Sequence, residues 1–404
     1  MNDLEERLRR GLRAYSDRVR PESIRPLHET PESVKVTHCA MACTTSCRRG
    51  RDWRCRRNDA GAPARRAELQ RRGQGRQPAS SGMPRYYVTA FETYADGGKR
   101  ILTKAVVHNS RTGAALASVN VPTLMTGGGS NGVNITGAGD DRTFVIYQTA
   151  TVSPVDRLAR FLLLRVSADG RSARLTKLRL KVPRSLAVDY AALSPDGSRL
   201  AMQEQYCPDP GSCKYTGVRV ITLATGKVRT WTTTENDAPF NVSWAGNSAV
   251  AFLWGYHYRQ LDVTGQGGDL LASRVIASPP PEPTHYSPNA LVTADRSTVI
   301  TSTVKNFPAF PGKDTVIAKI TELDARSGKL LRVLQTVTMH GVSTGQAAQS
   351  LDQQCKVLSL GPVGVHLLVA CNTFGRLDGS VFTPLPGFPS PSSSGISGQI
   401  TGAW

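Results

Sequence analysis

From Tyr86 onward, hydrophobic residues alternate with polar ones or run briefly and then stop at a turn, the pattern of short β-strands rather than of helices. Arg85 to Ala90 reads as one strand and Ile101 to His108 as another; Arg111-Thr112-Gly113 then turns the chain into Ala115 to Val121. The same phrase returns as Phe161 to Val166, Ala168-Asp169-Gly170 and Ala173 to Leu180. It returns again as Val218 to Leu223, Ala224-Thr225-Gly226 and Val228 to Thr232, and as Thr315 to Leu323, Arg326-Ser327-Gly328 and Leu330 to Val337.

A second phrase precedes these. Its clearest copy is Ala191-Ala192-Leu193-Ser194-Pro195-Asp196-Gly197-Ser198-Arg199-Leu200-Ala201-Met202, with looser copies over Val242 to Phe252 and Leu291 to Ile300. The turn residues Asp141, Asp196, Gly246 and Asp295 lie 55, 50 and 49 positions apart, the period of a four-stranded unit. One such sheet cannot cover both its apolar faces, so copies must stack, and closing the stack into a ring removes the exposed ends. The expected fold is therefore all-β: a β-propeller over 85–404 of about six four-stranded blades, or alternatively seven. Ile396 to Trp404 is expected to complete the first blade, burying Trp404.

Ahead of the repeats, Leu4, Leu8, Leu12, Tyr15 and Val19 fall at helical spacing among Arg and Glu, which predicts an amphipathic helix over 1–20. It reads as a charged surface helix or as one that docks on a partner or membrane face. Residues 21–84 are expected to be disordered. Cys39, Cys43, Cys47 and Cys55 stand there among eleven arginines, Arg48 to Arg76, with no lysine. Their spacing matches no tetrahedral thiolate site, so no metal is expected. An arginine-rich arm for nucleic acid is the electrostatic reading. The preferred reading is a translation out of frame, since Leu and Val codons read one base late yield Cys and Trp, and Ala-rich stretches yield Arg and Pro. On that reading the intended protein has a transmembrane helix here.

Charge sharpens the division. The formal net charge is +19, with nineteen basic against ten acidic residues before position 85 and thirty-one against twenty-one after it. The repeat region is only mildly basic, so nucleic acid is not its expected partner. As written, the chain has no run of about 18 apolar residues and no secretory leader.

Leu193-Ser194-Pro195-Asp196-Gly197-Ser198-Arg199-Leu200-Ala201 resembles the repeat phrase of TolB-like and WD-repeat-like propellers, and Arg85-Tyr86-Tyr87-Val88-Thr89 resembles the opening strand of YVTN-type propellers. Residues 1–35 and 85–404 together are similar to actinobacterial single-pass membrane proteins with an extracytoplasmic propeller. The resemblance implies membrane anchoring in the in-frame form; the chain as written is alternatively cytoplasmic. It is nearly silent on function.

Candidate chemistry is sparse. Cys355 and Cys371 flank a Gly-Pro-Val-Gly turn, and Cys207 and Cys213 flank Pro208-Asp209-Pro210-Gly211-Ser212, so two disulfides are candidates, the alternative being two pairs of free thiols. Gly127-Gly128-Gly129-Ser130-Asn131-Gly132 satisfies G-x-G-x-x-G but no helix is expected after it, so no dinucleotide cofactor is implied. Asp140-Asp141 reads as a solvated turn and His257 as blade-edge packing. No nucleophile elbow, zinc pair or Walker loop occurs. The expected function is a non-enzymatic binding or scaffold module for a protein, peptide or glycan. The alternatives are a hydrolase or lyase with its site at the central channel, and nucleic-acid binding through the Arg-rich segment.

Overall fold

A computed structural model describes residues 82–404, apart from 96–99, 125–130, 154–155, 207–214, 236, 238, 256, 279–285, 308–312, 344–354, 362–365, 372 and 386–400. The expected helix over 1–20 and the Cys/Arg segment up to residue 81 lie outside the described residues. Among the described residues, no helix is long and apolar enough to cross a membrane.

The strands assemble into six antiparallel sheets arranged as the blades of a propeller. Blade 1 holds β1 (Tyr86–Ala95), β2 (Arg100–Asn109) and β3 (Ala115–Val121). Blade 2 holds β4 (Asn131–Gly137), β5 (Thr143–Ser153), β6 (Asp156–Val166) and β7 (Ala173–Leu178). In blade 3, β8 (Leu186–Ala187) and β9 (Ala191–Leu193) share one edge of β10 (Arg199–Tyr206), followed by β11 (Tyr215–Thr222) and β12 (Val228–Thr233). Blade 4 contains β13 (Phe240–Ala245), β14 (Ala249–Trp254), β15 (His257–Asp262) and β17 (Arg274–Ala277); β16 (Gly268–Asp269) crosses back to pair in parallel with β12. Blade 5 is β18 (Tyr286–Val292), β19 (Thr298–Phe307), β20 (Lys313–Asp324) and β21 (Leu330–Ser343). Blade 6 is β22 (Cys355–Leu360), β23 (His366–Cys371), β24 (Thr373–Asp378) and β25 (Val381–Pro384).

The last strand, β26 (Thr401–Ala403), pairs antiparallel with β1 and becomes the innermost strand of blade 1, as expected for the C-terminus. The inner strands β26, β4, β9, β13, β18 and β22 each pack on the next, and β22 meets β26, so the ring closes with six blades.

Each junction between blades carries its own apolar core. Val88, Ala105, Ile135, Phe144 and Leu164 fill the junction of blades 1 and 2, while Val145, Phe161, Leu193, Leu200 and Met202 fill that of blades 2 and 3. Corresponding sets continue around the ring to Tyr87, Leu368, Phe374 and Trp404 between blades 6 and 1. This explains why Leu200-Ala201-Met202 is apolar at consecutive positions: a blade has two buried faces, so alternation of side does not become alternation of polarity.

In blades 2, 3 and 5 the turn joining the first two strands is built by an aspartate. Asp196 accepts from the Ser194 hydroxyl (2.6 Å) and the Ser198 amide (3.0 Å), and the Arg199 amide donates to the Ser194 hydroxyl (2.9 Å). Thr293, Asp295, Ser297 and Thr298 reproduce the arrangement in blade 5. In both turns the residue after the aspartate has positive φ, 67° at Gly197 and 63° at Arg296. In blade 2, Asp140 takes the capping role and Asp141 (φ 55°) the left-handed one, so the structural equivalent of Asp196 is Asp140.

Candidate functional site

One inner strand departs from regularity. The segment before β10 should be a continuous inner strand of blade 3, yet β9 pairs only with Leu200 to Met202 and β8 only with Gln205 and Tyr206. Val188 and Asp189 bulge out between them, while the Tyr190 carbonyl still accepts from the Gln203 amide (2.9 Å). Two bonds to one hydroxyl fix the bulge: the Ala191 amide donates to Tyr147 Oη (3.1 Å), and Tyr147 Oη donates to the Asp189 carbonyl (3.4 Å). Tyr147 is buried and stacks on Phe161, and burial raises its pKa, which keeps the hydroxyl protonated and able to donate.

The bulge forms one wall of a cleft of about 310 Å³ between blades 2 and 3, lined among others by Thr149, Thr151, Arg157, Leu186, Val188 and Asp189. Thr149 and Thr151 come from β5 and Arg157 from β6, each on the strand face that looks toward blade 3. The Arg157 amide donates to the Arg184 carbonyl (2.9 Å), tying the two walls together. Asp189 is open to solvent on one side; the wall on its other side raises its carboxyl above the ordinary value, and the Arg157 guanidinium opposes the rise. The cleft thus offers one cation, one carboxylate and two hydroxyls on a mostly polar surface. Bulges concentrate beside functional sites because they re-aim side chains, and this volume sits at the small end of ligand pockets.

Deeper in the same junction, Arg219 on β11 donates twice to Glu204 on β10, at 2.7 and 2.9 Å, with the Glu204 side chain only 2% exposed.

The residues singled out in the sequence are dispersed around the ring. Cys355 and Cys371 are directly opposite each other in the register of β22 and β23, a placement whose Cα separation falls within the range a disulfide spans. Cys207 and Cys213 lie outside the described residues. We expect oxidised protein to yield a Cys355–Cys371 linked peptide in non-reducing mass spectrometry. Closing a loop of this length stabilises by about 3 kcal/mol, so Cys355→Ser should lower the denaturation midpoint accordingly; an unlinked, alkylatable pair in protein exported to an oxidising compartment would remove the expectation.

Asp140 and Asp141 are occupied as turn ligands, Asp141 accepting from the Arg85 amide at 2.8 Å. His257 is exposed and bonded to Ser278 Oγ at 2.8 Å. Gly132 belongs to strand β4, so no helix follows the glycine run. Among the described residues, no group of three or more His, Cys, Asp or Glu side chains is placed to hold a metal. The bulge at Asp189 escaped the sequence reading because Leu186 to Leu193 looks like an ordinary strand with one acidic residue; the only signal was Asp189-Tyr190 interrupting an otherwise apolar run.

No protein-family model matches the chain, and no curated protein matches it. Solved structures that resemble it include a luciferin-regenerating enzyme, at 11% identity and TM-score 0.39 over 80% of this chain and 93% of that one. The tricorn protease aligns at 9% identity and TM-score 0.38 over 74% of this chain and 30% of that one. Regucalcin from Agrobacterium tumefaciens, a calcium-binding protein, aligns at 11% identity and TM-score 0.37 over 70% of this chain and 81% of that one. These likenesses concern the course of the chain, not an activity.

Proposed function

We propose that the propeller is a non-enzymatic recognition module that takes the end of a peptide or glycan into the cleft between blades 2 and 3. The observation that carries this reading is the bulged inner strand that sets Asp189 across from Arg157 in a small cleft. Opposite charges on facing walls suit a ligand with its own separated donors and acceptors, and the two threonine hydroxyls suit amide or sugar groups. In the in-frame form suggested by the N-terminal segment, the propeller would be anchored by a single membrane helix and displayed outside the membrane. The opposed cysteines of β22 and β23 are in keeping with such a compartment.

The test is an array of immobilised peptides and glycans probed with the full chain, then with Arg157→Ala and Asp189→Asn. Each substitution should weaken retention of the bound ligand by about tenfold or more, without lowering the melting temperature, because both side chains lie at the cleft rim. A ligand held equally by all three proteins, or one released as a cleaved product, would defeat the reading.

A further inference from the structure

The outer rim of blade 2 carries a concentration of positive charge that neither the fold nor the cleft uses. Residues 156–184 hold nine basic against two acidic side chains, which is seven of the ten net positive charges found after position 84. Both acids are engaged locally. Asp156 pairs with Arg184 at 3.4 Å, and Asp169 accepts from the Ser167 hydroxyl and the Arg171 amide inside its own turn. Arg165, Arg171, Arg174, Lys177, Arg179 and Lys181 are all exposed. Arg171 lies beside Asp169; the side chains of the other five make no hydrogen bond or ion pair among the described residues.

Their placement is linear. β7 is the outer strand of blade 2, so its side chains stand on the rim. Beyond the strand the alternation persists: Arg179 and Lys181 are exposed, while Leu180 and Val182 pack in the core shared with blade 3. An extended course at about 3.3 Å per residue carries this track about 23 Å from Arg174 to Lys181. Charged residues on an outer strand also discourage pairing with a second chain, but that need does not account for so many. The outer strands β3 and β25 carry no charge, and β12, β17 and β21 carry one arginine each. Each of those arginines is bonded inside the propeller: Arg229 to the Val263 and Thr264 carbonyls, Arg274 to Gln260 and Arg332 to Glu322. In blade 2, by contrast, Arg165 and Arg174 are directly opposite each other on neighbouring strands, a like-charge pairing that costs stability.

We propose that this rim binds an acidic linear polysaccharide, one whose repeating units carry carboxylate or sulfate groups. Cations spaced along an extended segment match anions spaced along a polymer, and a guanidinium takes such an anion through two parallel N–H bonds. The surroundings of the cations select the polymer. A protein partner needs an apolar centre to its interface, and single-stranded nucleic acid needs aromatic rings between the cations. Residues 168–184 offer no aromatic side chain and no exposed large apolar one. A bilayer presents its headgroups in one plane, whereas Arg174 is on the face toward blade 3 and Lys177, opposite Leu162, on the face toward blade 1. A plane therefore reaches only part of the set, and a flexible chain of hydroxyl-rich acidic sugars follows all of it. The rim holds an internal stretch of that chain, so it is a surface separate from the cleft.

The experiment is lysine footprinting of the full chain, because the arginine-rich segment before residue 85 carries its own positive charge and bulk binding would not locate the site. The chain is acetylated with and without heparin, a sulfated glycan, or polygalacturonate, a carboxylated one, and the modified lysines are read by mass spectrometry. Lys177 and Lys181 should be protected about tenfold, and the protection should fade as salt rises from about 50 to about 200 mM. Lys227 and Lys329, exposed on blades 3 and 5, should react as before. The more protective glycan identifies the anionic group. Arg174→Gln with Arg179→Gln should remove most of the protection without changing the melting temperature, since neither side chain has a partner among the described residues. Arg174→Lys with Arg179→Lys should keep it. Arg157→Ala should leave it in place; loss of protection in that variant would mean that the cleft alone holds the glycan. That loss, equal protection of all four lysines, no protection, or stronger protection by single-stranded RNA or phosphatidylserine vesicles at equal charge each overturns the proposal.

Discussion

Trp404→Ala is expected to lower the stability of the propeller by about 3–5 kcal/mol, the usual result of emptying a buried tryptophan site. The closing strand β26 is three residues long and cannot hold itself to β1 by backbone bonds alone. Trp404 supplies the missing hold. It is 3% exposed, packs with Tyr87, Leu368, Phe374 and Leu385, meets the His366 ring edge-on at 6.4 Å, and donates its amide to Ser359 Oγ at 3.3 Å. Its carbonyl lies against β4 on the other side, where a Cβ added at Gly137 would fall 1.7 Å from it. Gly137→Ala should therefore push the terminus outward and reproduce much of the Trp404→Ala loss by a different route. Equilibrium urea denaturation monitored by circular dichroism measures both. A loss below about 1 kcal/mol for Trp404→Ala would mean that ring closure is carried by the inner-strand packing rather than by the terminal wedge.

The architecture was legible because a blade is a local object repeated. Strand, Asp turn and strand recur at a spacing set by four short strands, and Ser194 to Arg199 states the turn chemistry outright. The copies blur where the backbone tolerates exceptions. Asp141 and Arg296 occupy left-handed positions that Gly197 and Gly246 fill elsewhere, so the glycine that would mark the repeat is absent from two of the turns. Blade 3 also hides its inner strand, which the bulge breaks into β8 and β9.

The sites were much less legible, because they are made at junctions between blades. Thr149 and Asp189 are 40 positions apart and line one cleft only because two blades stack; within its own segment each looks like a polar residue in an ordinary strand pattern. Cys355 and Cys371 form the opposite case, since hairpin partners are set by one short turn and their register follows from counting. What a single hairpin determines could be read in advance, and what neighbouring blades determine could not.

The same reasoning applies to Glu204 and Arg219, which meet within blade 3 but face blade 2. Their pairing is bidentate and nearly dry, with side-chain exposures of 2% and 13%. Removing either partner leaves the other charge buried, so Glu204→Leu or Arg219→Met alone should cost about 3–5 kcal/mol. The double variant should recover most of that loss, because two apolar chains of similar size need no desolvation of charge. The pair thus stabilises the junction less than the single variants suggest, and its further consequence lies in position. It lies in the junction that carries the proposed cleft, so the double variant should fold well yet change ligand retention by altering how the walls set Arg157 against Asp189. A double-mutant cycle in urea, with retention on the same peptide and glycan array, separates the two effects. If the single variants lose less than about 1 kcal/mol, the pair is solvated in solution and the junction is looser than its packing indicates. If the double variant stays as unstable as the single ones, shape rather than charge holds blades 2 and 3 together at this level.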